Sequence, residues 1–276
     1  MQVYRGMDIG TAKTSPQVRR EVPHHMIDVC DPEVDMSVAE FQRAGRRALA
    51  DLEERGVVPV ICGGSGLHFR SLVDPLRFPP NDPDLRAELD GLQPQVVRER
   101  LLALDADASR WVDLDNPRRV VRALEIALLT GRTPSVRAQS REATAVRNYV
   151  SQIDFVAIGL DPGPELPDRV ETRFDGMLGE GLLGEVETLR PRLGRLASQA
   201  VGYRQLIPVA DGDIDLEAGR SDAITATRSL AKRQRTFFRR DPRIVWLPWH
   251  TAAEQRAAAA IEELNRRLSE SVTWIL

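Results

Sequence analysis

No Gly-Lys-Ser or Gly-Lys-Thr triplet occurs anywhere in the 276 residues, so a complete phosphate-binding loop of the Walker type is missing from this sequence. Lysine itself is scarce. It stands only at Lys13 and Lys232, and every other basic position is arginine. Arginine abundance therefore reports a compositional preference, and only its clustering informs about a polyanionic partner. Cysteine is confined to Cys30 and Cys62, which excludes a disulfide scaffold and suits a reducing, cytoplasmic setting. No apolar run approaches the roughly 20 residues that span a bilayer, so no membrane partner is expected. Arg5, Asp8 and Lys13 have no apolar stretch between them, and the opening residues do not read as a secretory leader. Internal repeats and low-complexity tracts are also missing.

What remains is an ordinary globular composition. Apolar residues make up 42%, enough for a normal core, and the length suits one large α/β domain or one domain with an insertion. The net charge of −3 hides an uneven distribution. Arg228, Lys232, Arg233, Arg235, Arg239, Arg240 and Arg243 are opposed in their stretch only by Asp241. A mildly acidic protein with such a block can still bind a polyanion.

The periodicity predicts a parallel α/β rhythm. "SVAE" is a capping box with Ser37 as N-cap and Glu40 three residues on, and Gly56 ends the helix it starts. Gly45 lies inside that helix and weakens it. "VVPVIC" (57–62) reads as a buried strand, "GGSG" follows it, and "LHFRSLV" turns helical. From about Pro75 to Ala138 the chain is proline-punctuated and helical without a convincing strand. Its best helix is "DNPRRVVRALEIALLTG", with Asn116 as cap, Pro117 in first position and Gly131 closing. "IDFVAIGLD" (153–161) and "RIVWL" (243–247) read as strands. Asp168 is expected to cap a helix, a long helix is expected from about Asp222 to Arg240, and a last one over 251–268. The expected organisation is an α/β core over 1–74 and 141–276, with a helical insertion over 75–140.

Four stretches could carry chemistry. "CGGSGLH" offers backbone N–H groups to a phosphate, or is simply a tight strand-to-helix turn. "NPRRVVR" puts Arg118, Arg119 and Arg122 on one helical face, which serves equally as an RNA contact or a solvated face. "RSLAKRQRTFFRR" joins basic residues to Phe237 and Phe238, whose rings suit a core better than base stacking, while its cations suit phosphates. "SQAVGYRQ" presents Gly202, Tyr203 and Arg204 at a turn or helix start. The pair His24–His25 has no further ligands at suitable spacing and is not read as a metal site.

Taken in order, "QVYRGMDIGTAK", "PHHMIDVCDP", "VPVICGGSGLHF", "NPRRVVRALE", "AVGYRQ" and "TRSLAKRQRTFFR" resemble the tRNA dimethylallyltransferases, from Gln2 to Arg239. The resemblance implies a P-loop-NTPase-like parallel sheet with a helical insertion. It implies transfer of a dimethylallyl group from dimethylallyl diphosphate to N6 of the adenosine beside the anticodon. In the family, a strand, a P-loop, a helix and a strand ending in Asp-Ser precede the first motif. That unit, roughly 30–40 residues, is absent from this sequence, so the chain as it stands is expected to be inactive. The family's P-loop, with Mg2+, holds the leaving diphosphate, and the aspartate takes the N6 proton.

Carried over position by position, the resemblance makes Arg173, in "ETRF", the catalytic arginine near the diphosphate. It assigns tRNA contacts to Gln2, Ser65, Arg86, Arg118, Arg119, Arg122, Gln199, Gly202, Tyr203, Arg204, Lys232, Arg233, Gln234 and Arg239. The implied partners are tRNA and dimethylallyl diphosphate, and a monomer is expected. Two other readings stay open. One is a non-catalytic RNA-binding remnant. The other is an adenylate isopentenyltransferase, against which the insertion and the basic block speak, since a mononucleotide needs neither. A P-loop kinase fits the sheet rhythm but not the missing phosphate loop.

Overall fold

The computed structural model describes residues 1–272, in two compact units. The first comprises Met1–Leu72 and the chain from Phe155 onward, and the second runs from Val73 to Asp154. The expected insertion, 75–140, falls within the second.

The chain begins as a loop in which Tyr4 makes an isolated parallel bridge to Cys30. The short helix α1 (Pro16–Glu21) is followed by α2 (Val38–Glu54), whose capping box is complete: Ser37 Oγ accepts from Glu40 N–H, and Glu40 accepts from Ser37 N–H at 2.8 Å. Gly45 is tolerated because it is needed; a Cβ there would lie 2.6 Å from Leu72 Cδ2. After the glycine loop comes α3 (Gly66–Val73).

The second unit holds α4 (Pro83–Asp90), α5 (Pro94–Leu104), α6 (Pro117–Thr130), α7 (Pro134–Ala138) and α8 (Arg141–Arg147). Each opens on Pro or a capping residue, and α6 ends with Gly131 at φ 66°, the left-handed cap that glycine fills without strain. Leu89, Val97, Leu101, Val120 and Leu124, each at most 2% exposed, form its core. Burial of each such side chain contributes about 1.5–3 kcal/mol.

The chain then returns to the first unit with β1 (Ala157–Leu160), α9 (Leu166–Gly179), α10 (Leu182–Leu189), α11 (Tyr203–Ala210), α12 (Leu216–Phe238), β2 (Ile244–Leu247) and α13 (Ala253–Val272). β1 and β2 pair in parallel, with Ala157 opposite Ile244 and Leu160 opposite Leu247. Tyr4, Met7, Phe174, Leu182, Val186, Tyr203 and Leu206 form the core beneath α9–α12.

The fold is thus mixed, with many helices and a small parallel sheet. Two sequence expectations are corrected. Val57–Cys62 pairs with no strand among the described residues, and Val58 and Val60 are 88% and 91% exposed. A run of β-formers becomes a strand only when a neighbour offers it a ladder. Second, α9 starts at Leu166, with Glu165 rather than Asp168 at its cap position. Pro167 in the first turn supplies the start signal that Asp168 was expected to give. No described helix is long and apolar enough to cross a membrane.

Candidate active site

Arg173 projects from the middle of α9, about two turns past its start, so the helix N-terminus does not reinforce it. Two acids of the same helix, Glu171 and Asp175, stand two residues either side of it and so face away from it, toward Arg220. Asp175 accepts from Arg220 at 2.6 and 2.8 Å, and Glu171 accepts from it at 3.3 Å. Glu171 also accepts from Arg228 at 3.3 Å. The Arg220 hydrogen bond holds the Asp175 carboxyl below its ordinary range and raises the guanidinium. Among the described residues nothing pairs with Arg173.

Arg173 lines a cavity of about 390 Å³, with Gly176 and Met177 on the same helix, Glu180 at that helix's C-cap, and Asp8, Ile9, Ala12 and Lys13 opposite. The loop carrying those four residues is held from several sides. Lys13, only 2% exposed in its side chain, donates to the Tyr4 carbonyl at 2.6 Å, to Asp8 at 2.7 Å and to Asp28 at 2.5 Å. Arg19 donates to the other Asp28 oxygen at 2.6 Å. Burial alone would raise the Asp28 carboxyl, but these two cations outweigh it and hold it below its ordinary value. Ala12, Met26 and Asp28 all adopt positive φ, at 48°, 63° and 56°. Left-handed backbone in non-glycine residues costs on the order of 1 kcal/mol or more each and gathers where surroundings enforce it. Gln2, expected at the RNA, instead donates to the Thr11 and Ala12 carbonyls at 3.0 Å each.

Tyr203 is placed differently from the sequence expectation. It is fully buried, with its hydroxyl on Glu185, so its side chain offers nothing to an RNA. Burial and the Glu185 carboxylate push the phenol well above its usual range. Gly202, at φ 94°, is buried beside it, while Gln199 and Arg204 are exposed.

The glycine loop lies against α12. A Cβ on Gly64 would come within 2.8 Å of Gln234 Nε2, and one on Gly66 within 2.1 Å of the Phe237 ring. At Gly66 the rigid ring leaves room only for glycine, while at Gly64 the flexible Gln234 amide would have to move aside. Ser65, Gln234 and the exposed Lys232 and Arg233 therefore belong to one region. The Ser65 hydroxyl shares a 2.7 Å hydrogen bond with His68 Nδ1. Burial lowers the His68 pKa, so the ring is neutral at neutral pH. Phe238 packs with Phe69, and Phe69 with Phe155, as half-buried rings outside both cores, while Phe237 is 38% exposed.

The expected RNA-contacting cations divide by their partners. Arg86 and Arg122 both donate to one oxygen of Glu125, at 2.8 and 2.9 Å, and Glu125 is 1% exposed. Arg122 is saturated further by the carbonyls of Pro79 and Pro80, at 2.8 and 3.0 Å. These two arginines serve the interior of the second unit. Arg119 keeps one exposed partner, Asp113 at 3.2 Å, and Arg239 keeps Asp161 at 3.0 Å. Arg118, Arg204, Lys232 and Arg233 are exposed and make no ion pair among the described residues.

Lys13, Asp28, Glu185 and His68 were not singled out from the sequence. A signal existed for Lys13, one of only two lysines in an arginine-biased chain. Magnesium does not find a ready site: among the described residues, no three His, Cys, Asp or Glu side chains converge as ligands.

Comparison with known proteins agrees with this architecture. The chain is 43% identical over 251 residues to the tRNA dimethylallyltransferase of Bifidobacterium longum (strain NCC 2705), covering 89% of this chain and 74% of that protein. It is 43% identical over 268 residues to the tRNA dimethylallyltransferase of Acidothermus cellulolyticus, covering 94% and 82%. Among solved structures, the tRNA isopentenylpyrophosphate transferase of Bacillus halodurans superposes with a TM-score of 0.69 at 32% identity, over 99% of this chain and 87% of that one. A eukaryotic dimethylallyltransferase acting on tRNA superposes with a TM-score of 0.78 at 25% identity, over 97% and 71%. The model of one family, IPP transferase, matches residues 2–241, nearly the whole described chain, and the chain belongs to that family.

Proposed function

We propose that this protein takes part in prenylation of tRNA, with the dimethylallyl group of dimethylallyl diphosphate passing to N6 of the adenosine beside the anticodon. The exocyclic nitrogen attacks C1, the C1–O bond breaks, diphosphate leaves with the bonding pair, and the nitrogen loses a proton. Charge develops on the leaving oxygen, so a cation fixed beside it lowers the barrier. Arg173 fills that role, and a guanidinium fork suits a diphosphate. The observation that carries this reading is its place: Arg173 lines the cavity and makes no ion pair among the described residues, while Asp8 on the opposite wall is held by Lys13. Exposed Arg118, Arg119, Arg204, Lys232 and Arg233 supply phosphate contacts, and Ser65 meets the acceptor, whose base must leave its stack to react.

The sequence holds no Gly-Lys-Ser/Thr motif. We therefore propose that turnover also requires a phosphate-loop unit supplying the remaining diphosphate donors, magnesium and the base for the N6 proton. The test uses radiolabelled dimethylallyl diphosphate and an anticodon stem-loop. The 276-residue chain should bind the RNA without transferring label, and the same chain joined to such a unit should transfer it to N6. Transfer to free adenosine monophosphate but not to RNA would instead identify an adenylate isopentenyltransferase. RNA binding without transfer by the joined protein would identify a non-catalytic RNA binder.

A further inference from the structure

Three consecutive backbone N–H groups of the cavity loop point at one carboxylate. Glu185 Oε2 accepts from Asp8 N–H at 2.9 Å and from Ile9 N–H at 2.8 Å, and Oε1 accepts from Gly10 N–H at 3.1 Å. The Tyr203 hydroxyl donates to the same Oε1. The Tyr203 ring, with no exposed surface, also seats the loop, since a Cβ on Gly10 would lie 2.5 Å from its Cε2. Asp8 and Ile9, whose N–H groups Glu185 holds, line the cavity with Arg173, and Asp8 in turn accepts from Lys13. One side chain from α10, more than 170 residues away, thus gathers the loop that faces Arg173.

We infer that Glu185, oriented by Tyr203, is a positioning residue for the diphosphate cavity: it fixes the Asp8–Gly10 backbone so that the loop and Arg173 together accept the leaving group. This rests on the donor-site reading of Arg173 given above. A carboxylate this close to an anion site would by charge alone weaken anion binding. Its removal therefore separates the two effects by sign. Gln at position 185 keeps the shape, deletes the charge and turns a donor N–H toward one of the present donors. Through charge alone, Glu185→Gln binds diphosphate more tightly; through loss of loop geometry, it binds more weakly.

The experiment is calorimetric titration of the full chain with inorganic pyrophosphate. Wild type should bind in a manner that Arg173→Ala abolishes. Glu185→Gln should weaken binding about tenfold, the scale of a lost hydrogen bond to a charged group. Tyr203→Phe, which keeps the ring against Gly10 and deletes only the hydroxyl, should weaken it less, in the same direction. It carries the test if Glu185→Gln fails to fold. On an Arg173→Lys background the Glu185→Gln effect should shrink, because the two groups act on one ligand. Equal or tighter binding by Glu185→Gln and Tyr203→Phe, with Arg173-dependent wild-type binding intact, overturns the positioning role alone. Absence of Arg173-dependent binding in wild type overturns the donor-site reading, and the inference falls with it.

Discussion

Replacing Arg122 with alanine tests whether a residue that looks like an RNA contact is in fact a structural counter-charge. Glu125 is 1% exposed and accepts from three donors: Arg86 and Arg122 on Oε2, and the Asp82 N–H on Oε1 at 3.1 Å. Removing the sole partner of a buried charge costs about 3–5 kcal/mol. Here Arg86 remains, which reduces the loss. The carbonyls of Pro79 and Pro80 also lose their donor, and each lost hydrogen bond adds on the order of 1 kcal/mol. The expected net destabilisation is about 2–3 kcal/mol, which would be a large fraction of a domain's stability. Urea unfolding followed by far-UV circular dichroism measures it, with Arg119→Ala as the control. The Arg119 side chain is 65% exposed on one surface pair, so its loss should stay within about 0.5 kcal/mol. Adding Glu125→Leu to Arg122→Ala should recover part of the loss by removing the orphaned charge. An Arg122→Ala protein as stable as wild type would refute the assignment and return Arg122 to the RNA surface.

Other outcomes follow from the same distinctions. Arg119→Ala and Lys232→Ala should each weaken stem-loop binding and flatten the log–log salt dependence by about one unit, read by fluorescence anisotropy from 50 to 200 mM salt; unchanged slopes would make both cations solvated surface. Because burial depresses the His68 pKa, its stability contribution is full above about pH 6.5 and declines as pH falls toward the folded-state value, since the unfolded chain takes up the proton first. Urea midpoints between pH 7.5 and 5.5 should show that decline in wild type and lose it in His68→Gln. The depressed Asp28 carboxyl follows the same direction at lower pH: its contribution is present above about pH 3.9 and is lost as pH falls through the folded value. Asp28→Asn, which leaves Lys13 only Asp8 as an acidic partner, should cost about 2 kcal/mol at pH 7, and the gap from wild type should narrow below pH 4.

Local signals in the sequence located the elements they belong to. The Ser37–Glu40 box and the Asn116–Pro117…Gly131 frame mark α2 and α6 because caps act within one turn of the chain. Features set by distant partners were hidden. Val57–Cys62 carries strand-forming residues, but pairing is not a property of the segment itself. Arg122 has the spacing of an exposed basic face, yet Glu125, three residues on, and the Pro79 and Pro80 carbonyls draw it inward. Tyr203 sits in a motif that resembles an RNA-contacting one, and only its packing against Gly10 and Glu185 shows it buried. Arg173 was legible through resemblance, but the opposite wall of its cavity comes from Asp8, Ile9, Ala12 and Lys13, far earlier in the chain.

The central claim is that Arg173 stabilises the departing diphosphate. Its direct test is single-turnover transfer by the chain joined to a phosphate-loop unit, comparing wild type, Arg173→Ala and Arg173→Lys at saturating donor. The single-turnover rate constant should fall by roughly two orders of magnitude or more in the alanine variant, with stem-loop affinity unchanged. Lysine should restore only part of the rate, because a point charge does not reproduce the guanidinium fork. Normal turnover by Arg173→Ala would contradict the claim.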